Sequence, residues 1–136
     1  MSFLIDTDLL SMLERKRVPP KLSAWVRSNQ DEIFLSVVSF AELQFGLEQA
    51  PVTHRASLAA WLAEMRRTLG PATEELTESV LVRWKGLLTD LKARNRTMTC
   101  EDSLIAAIAL FHGHSIATHN KRHFEPAGVP LVDPLD

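Results

Sequence analysis

Apolar positions along this chain follow two alternating rhythms. Short runs with little polar interruption occur at Phe3-Leu4-Ile5, at Ile33-Phe34-Leu35-Ser36-Val37-Val38 and at Ser115-Ile116-Ala117-Thr118, and Leu131-Val132 adds a brief candidate edge. Such runs predict strands covered on both faces, as in a parallel sheet. Between them the spacing becomes helical. Val80, Leu81, Trp84, Leu87, Leu88 and Leu91 fall at offsets 0, 1, 4, 7, 8 and 11, which makes one apolar stripe. Leu58, Leu62, Met65 and Leu69 make a second, with Trp61 beside it. Leu104, Ile105, Ile108 and Phe111 make a third, which Gly113 ends as a left-handed C-terminal glycine would. Pro19-Pro20 marks a turn, and Leu22, Trp25 and Val26 predict a short helix after it. The stretch from Gly70 to Glu75 shows no legible pattern. Strands alternating with helices predict an α/β fold with a central, mainly parallel sheet flanked by helices.

The length, 136 residues, predicts one domain over residues 1–136 with a single sizeable core, and no repeat or linker divides it. Hydrophobic residues at 46% and charged residues at 24% are an ordinary globular balance. No apolar run approaches the ~18 residues of a membrane span, so no membrane partner is expected. The start, Met1-Ser2-Phe3-Leu4-Ile5-Asp6, has no basic segment and meets an acid at once, unlike a signal peptide. Cys100 is the only cysteine, which excludes an internal disulfide and a thiolate metal cluster and suits a reducing cytoplasm. It is expected to be a small buried side chain beside a helix start. A net charge of −2 gives no global attraction to nucleic acid. Any RNA-binding face would be local, and the basic clusters are Arg15-Lys16-Arg17, Arg66-Arg67, Arg94 with Arg96, and Lys121-Arg122-His123.

Composition leaves the chemistry to the acids. Asp6 follows the first strand directly, and Glu42 comes soon after the second. Asp102 immediately precedes the helix of Leu104 to Phe111, and Asn120 follows the strand of Ser115 to Thr118. In α/β sheets, ligands bind outside the carboxyl ends of the strands, so these four oxygen-bearing side chains are predicted to share one sheet edge. Converging carboxylates repel one another unless protons or a cation intervene. Their oxygens suit hard cations, Mg²⁺ or Mn²⁺. Such a site best explains phosphodiester hydrolysis.

A purely structural reading competes with this one. Ser39-x-x-Glu42 and Thr99-x-x-Asp102 both have the form of a helix capping box, in which the acid merely reaches back to its cap. Spacing leaves both readings open. Asp6, followed by Thr7 and Asp8, is less easily explained as a turn, since turns rarely need two acids. The histidines offer no helical metal-binding pair with a third ligand. His112 and His114 suit a helix C-terminus, and His119 and His123 suit the surface. Trp25, Trp61 and Trp84 lie on apolar stripes and read as core. Nucleotide-cofactor glycine motifs are absent. A receiver-like signalling domain would need an acceptor Asp after the third strand and a later Lys, and neither is found.

Four segments together resemble a known family. Leu4-Ile5-Asp6-Thr7-Asp8 is similar to the opening motif of PIN-domain nucleases, and Leu35 to Gly46, with Ser39 three residues before Glu42, is similar to the second. Asp102 to Gly113 resembles the third and is the most specific. Ala117 to Phe124 resembles the fourth, and Val129 to Pro134 resembles the usual ending. The likeness spans essentially the whole chain and is nearest to the VapC-like toxins of toxin–antitoxin pairs. It implies a PIN-like fold and a Mg²⁺- or Mn²⁺-dependent endoribonuclease that cuts a structured RNA such as tRNA or rRNA. It also implies a homodimer and a cognate antitoxin that wraps the toxin. Carried over by position, Asp6 and Asp102 are metal ligands, Glu42 is a ligand or positions the attacking water, and Asn120 occupies a fourth place where many relatives have Asp. Asn supplies no charge there, though Asp8 and Glu101 stand close by in sequence. The alternative is a catalytically weakened PIN domain that only binds RNA or protein.

Overall fold

The computed structural model describes all residues, Met1–Asp136. Its centre is a five-stranded sheet, β1 (Phe3–Ile5), β2 (Ile33–Ser36), β3 (Thr73–Glu74), β4 (Ser115–Ala117) and β5 (Leu131–Val132), in the order β3-β2-β1-β4-β5. Every pairing is parallel, with Phe3 opposite Ile33 on one side and Ser115 on the other. Six helices surround it: α1 (Thr7–Met12), α2 (Pro20–Asn29), α3 (Val37–Gln49), α4 (Val52–Leu69), α5 (Glu78–Ala93) and α6 (Cys100–His112).

Alternation along the strands sends side chains to two cores. Phe3, Ile5, Ile33, Leu35 and Ala117 pack on one face with Leu9, Leu10, Leu22, Phe40 and Leu43. Leu4 and Ile116 pack on the other with Val80, Leu87, Leu91, Ile105 and Ile108. The sheet is therefore covered on both sides, as the uninterrupted apolar runs require. All three tryptophans pack partly buried against these cores. Trp25 meets Phe3 edge-on at 5.1 Å, and the Trp84 indole N–H donates to Ser103 Oγ at 2.8 Å.

Several boundaries differ from the expectation. The second apolar run turns helical at Val37, because the Ser36 hydroxyl caps the helix by accepting from the Val38 N–H at 2.9 Å. Ser39 is therefore the third residue of α3 rather than its cap, and Glu42 belongs to no capping box. Thr99 does cap α6, accepting from the Asp102 N–H at 3.1 Å. Cys100 is exposed rather than buried, because the first position of α6 faces solvent. The illegible stretch holds β3, whose two residues are too few to show a period. Gly113 ends α6 at φ 75°, in the left-handed region where glycine is favoured.

The central strand β1 carries both cores at once. Leu4 is fully buried, so Leu4→Ala is expected to destabilise the fold by about 2–5 kcal/mol. Leu81→Ala, at a position 38% exposed on α5, is expected to stay within about 0.5 kcal/mol of the parent. Urea unfolding of both variants measures the difference, and equal effects would refute this assignment of the core.

Candidate active site

The chain builds strands to one side of β1, in the direction of β2 and β3, and then to the other, in the direction of β4 and β5. The direction reverses next to β1, and a parallel sheet opens a crevice at such a point beyond its carboxyl ends. Asp6 leaves β1 there and caps α1, its Oδ1 accepting from the Leu9 N–H at 2.8 Å. Its Oδ2 accepts from the hydroxyl of Thr118, which directly follows the neighbouring strand, at 2.5 Å. The Thr118 oxygen in turn accepts from the Asn120 N–H at 2.9 Å. A relay of two hydrogen bonds thus ties the fourth motif to the first acid.

Asp6 is only 4% exposed. Burial, together with repulsion from Asp8 and Asp102, outweighs these two hydrogen bonds and raises its pKa from 3.8 to about 6. Glu42 projects from α3 and is half-buried. Its Oε1 accepts from the Thr7 hydroxyl at 2.6 Å, and Ser39 Oγ lies 2.8 Å from the same Thr7 oxygen. Desolvation raises its pKa, and Glu101, Asp102 and Asp8 reinforce the shift. Asp102, in the first turn of α6, is also raised, mainly by burial and then by Asp8 and Glu101, against the Thr99 hydroxyl and the imidazole of His123. The His123 Nδ1 lies 3.9 Å from Asp102 Oδ2.

The expected residues therefore meet, with one difference in emphasis. Asp6 and Glu42 both feel the charge of Asp102, and Asp8 acts on all three. Asn120 joins through Asp8, donating from Nδ2 to Asp8 Oδ2 at 3.2 Å. Thr7 and Thr118, which orient two of the acids, were not singled out in the sequence. A hydroxyl residue directly after Asp6 or at a strand end was the only available signal, and threonine is common at both places. His112 and His114 are more than helix-end residues: His112 Nε2 lies 2.6 Å from Glu74 Oε2, and His114 is buried and stacked on Phe34 at 4.6 Å.

The donors are carboxylate oxygens, the chemistry that hard divalent cations select. No three His, Cys, Asp or Glu side chains converge tightly enough to hold an ion unaided. Mg²⁺ does not require that, since it keeps several waters and binds through one or two carboxylates together with substrate phosphate. Mutual repulsion among the acids also favours a cation in their midst. The residues fit such an ion.

Known proteins resemble the chain over nearly its whole length. The family model described as PIN domain matches residues 3–129. VapC ribonuclease Y4jK of Sinorhizobium fredii is 27% identical over 140 residues, covering 97% of this chain and 96% of its own. Ribonuclease VapC of Rickettsia bellii is 27% identical over 139 residues, covering 98% and 100%. DNA-bound VapBC from Salmonella typhimurium superposes with a TM-score of 0.86 at 20% identity, covering 98% of each chain. FitAcB from Neisseria gonorrhoeae superposes with a TM-score of 0.84 at 22% identity, covering 97% of each.

The buried carboxyl makes a pH-dependent prediction. The folded pKa of Asp6 lies above its ordinary value, so its protonated form stabilises the fold below about pH 4, and this stability is lost as pH rises through about 6. Asp6→Asn keeps the shape without the charge: its Oδ1 still accepts from the Leu9 N–H, and its Nδ2 faces the Thr118 oxygen as a donor, as a protonated carboxyl would. In EDTA, the variant is expected to match the parent near pH 4 and to exceed it above pH 6 by on the order of 2–3 kcal/mol. Urea unfolding across that range checks this, and a parent as stable as the variant at pH 7 would contradict it.

Proposed function

We infer, because this chain belongs to the PIN domain family, that its acidic cluster cleaves RNA endonucleolytically with the help of Mg²⁺ or Mn²⁺. The observation that carries this reading is the buried Asp6, raised to a pKa of about 6 by burial and by the nearby charges of Asp8 and Asp102 at the reversal point of the sheet. A site that expensive to keep charged is explained by a ligand that neutralises it. The whole span 1–136 acts as one nuclease domain.

Hydrolysis forms a bond from water oxygen to phosphorus and breaks the bond from phosphorus to the leaving sugar oxygen. The proton that water gives up goes to a base, and the leaving oxygen takes one from its surroundings. Asp6 and Asp102 would hold a divalent ion, which would supply Lewis acidity towards the phosphate and ease the ionisation of water. Thr118 and the Leu9 N–H fix the carboxylate of Asp6 so that its orientation is set before substrate arrives. Glu42, with one oxygen bonded to Thr7, keeps the other to orient the water or to accept its proton. Its raised pKa brings its basicity nearer to the working range. Asn120 adds no charge and holds Asp8 in place.

The names of the relatives, VapC ribonucleases and a member of the VapBC family of toxin–antitoxin systems, support a toxin neutralised by a cognate antitoxin; a homodimer and a structured RNA substrate such as tRNA or rRNA are further parts of the proposal, taken from the family resemblance. No helix is long and apolar enough to cross a membrane, and a cytoplasmic site of action follows from an RNA target. Purified protein incubated with total RNA is expected to cut in Mg²⁺ or Mn²⁺ and to stop in EDTA. Asp6→Asn and Asp102→Asn are each expected to lower the rate by on the order of 10³-fold while circular dichroism stays unchanged. Full activity in both variants would remove these residues from the site. RNA binding by the parent without cleavage would favour a binding module instead.

A further inference from the structure

The surroundings of the four basic clusters separate them. Arg66 lies over the Phe40 ring, 4.9 Å from its centroid, and Arg67 pairs with Glu64. Arg94 is held by Asp90 at 2.8 Å and by the Pro126 carbonyl. Arg15 and Lys16 line a hollow with Glu14, His54, Ser57 and Trp61, which no acid of the cluster reaches. Lys121 is 3.8 Å from Asp136. Arg122 is exposed, pairs with no carboxylate, and lines a hollow of about 410 Å³ with His123, Thr97, Met98, Thr99 and Asp102. A second hollow, of about 240 Å³, opens on the cluster from the Glu42 side and has Glu14 and Trp61 in its wall but no Lys or Arg.

A phosphodiester strand is repelled by every carboxylate of the cluster and approaches where a cation offsets that repulsion. Of the two hollows that open on the acids, only the one beside Asp102 supplies a cation. It also lies at the N-terminus of the thirteen-residue helix α6, where the dipole favours an anion. The Thr99 oxygen accepts from the Asp102 N–H and its hydroxyl also favours the charged Asp102 carboxylate, so this residue anchors the wall of the hollow. We propose that this hollow is the RNA-backbone subsite, in which the phosphate next to the scissile bond is held by the guanidinium of Arg122, with His123 and Thr97 as further donors. The planar, permanently charged guanidinium suits two phosphate oxygens at once. The strand then enters from the Asp102 side, and the hollow at Glu42 and Trp61 stays clear of phosphate. The proposal rests on the nuclease reading for the identity of the polyanion.

Fluorescence anisotropy with a labelled, mixed-sequence single-stranded oligoribonucleotide tests it, with Asp6→Asn as the background so that nothing is cut. Arg122→Ala is expected to raise Kd about tenfold and to flatten the salt dependence by about 0.7 in the slope of log K against log salt. Arg122→Lys recovers the slope, and Arg15→Ala changes neither quantity. Melting temperatures stay at the parent value because Arg122 is exposed. Unchanged Kd and slope in Arg122→Ala, or the same loss in Arg15→Ala, overturns the proposal. Steady-state cleavage on the native Asp6 background keeps the two readings apart. A raised KM with kcat held in Arg122→Ala supports the subsite. Cleavage with unchanged KM overturns the subsite and leaves the nuclease standing. Arg122-dependent binding by a parent chain that cuts nothing overturns the nuclease reading and leaves the subsite standing.

Discussion

A carboxylate kept almost out of water sets the terms for the rest of the molecule. Asp6 follows β1, the middle strand of five, and β2 and β4 flank that strand on both sides. Parallel pairing brings the ends of neighbouring strands to the same edge, so Thr118, just past β4, reaches Asp6 from the side. Helix α1 begins immediately beyond and offers the N–H of Leu9. Those two donors favour the charged form, yet burial and the surrounding acids prevail and the proton is held to about pH 6. The two cores on either face of the sheet must carry the cost of keeping that group where it is.

The other acids differ because their supports differ. Glu42 comes from the first half of α3 and is steered by Thr7, which belongs to α1, so two helices on one face of the sheet cooperate to aim it. Asp102 comes from α6 on the other face and is flanked by a threonine cap and a histidine. The cluster therefore bridges both layers across the end of the sheet. Its charges are coupled, since Asp8 raises the proton affinity of each of the other three. A change in the charge of Asp8 is felt by all the others, and a change at Asp102 by Asp6 and Glu42.

Much of this was legible in the sequence, for reasons that can be named. Unbroken apolar runs marked the strands β1, β2 and β4 because both faces of those strands are covered, and offsets of three and four marked α4, α5 and α6 because each buries a stripe. β3 escaped notice because a two-residue strand has no period. The start of α3 was misplaced because Val37 and Val38 favour a strand, and the cap at Ser36 overrides that preference. The acids themselves were visible as residues at strand ends and helix starts. Their partners were not, because Thr7 and Glu42 stand 35 residues apart, and Thr118 and Asp6 stand 112 apart. Hydrogen bonds over such separations leave no trace in local spacing.

The capping alternative shows what only three dimensions could decide. As sequence patterns, Ser39-x-x-Glu42 and Thr99-x-x-Asp102 were equivalent. In the fold, the first is not a box at all: Ser39 is buried within α3, and its hydroxyl meets Thr7, which in turn donates to Glu42, instead of the backbone. The second keeps one half of a box, the threonine accepting from the Asp102 N–H. That bond anchors the start of α6 and so holds Asp102 at the sheet edge, beside the hollow that Arg122 lines. Structural and chemical roles are thus not rivals at this position. A helix start that must be capped to fold is also a rigid mount for an acid, and the same backbone N–H groups that need a cap turn a positive dipole towards the place where a phosphate would lie. The local rules of helix formation and the electrostatic needs of the site point the same way at Thr99 and Asp102. They oppose each other at Asp6, where burial raises the cost of the very charge that would hold a cation.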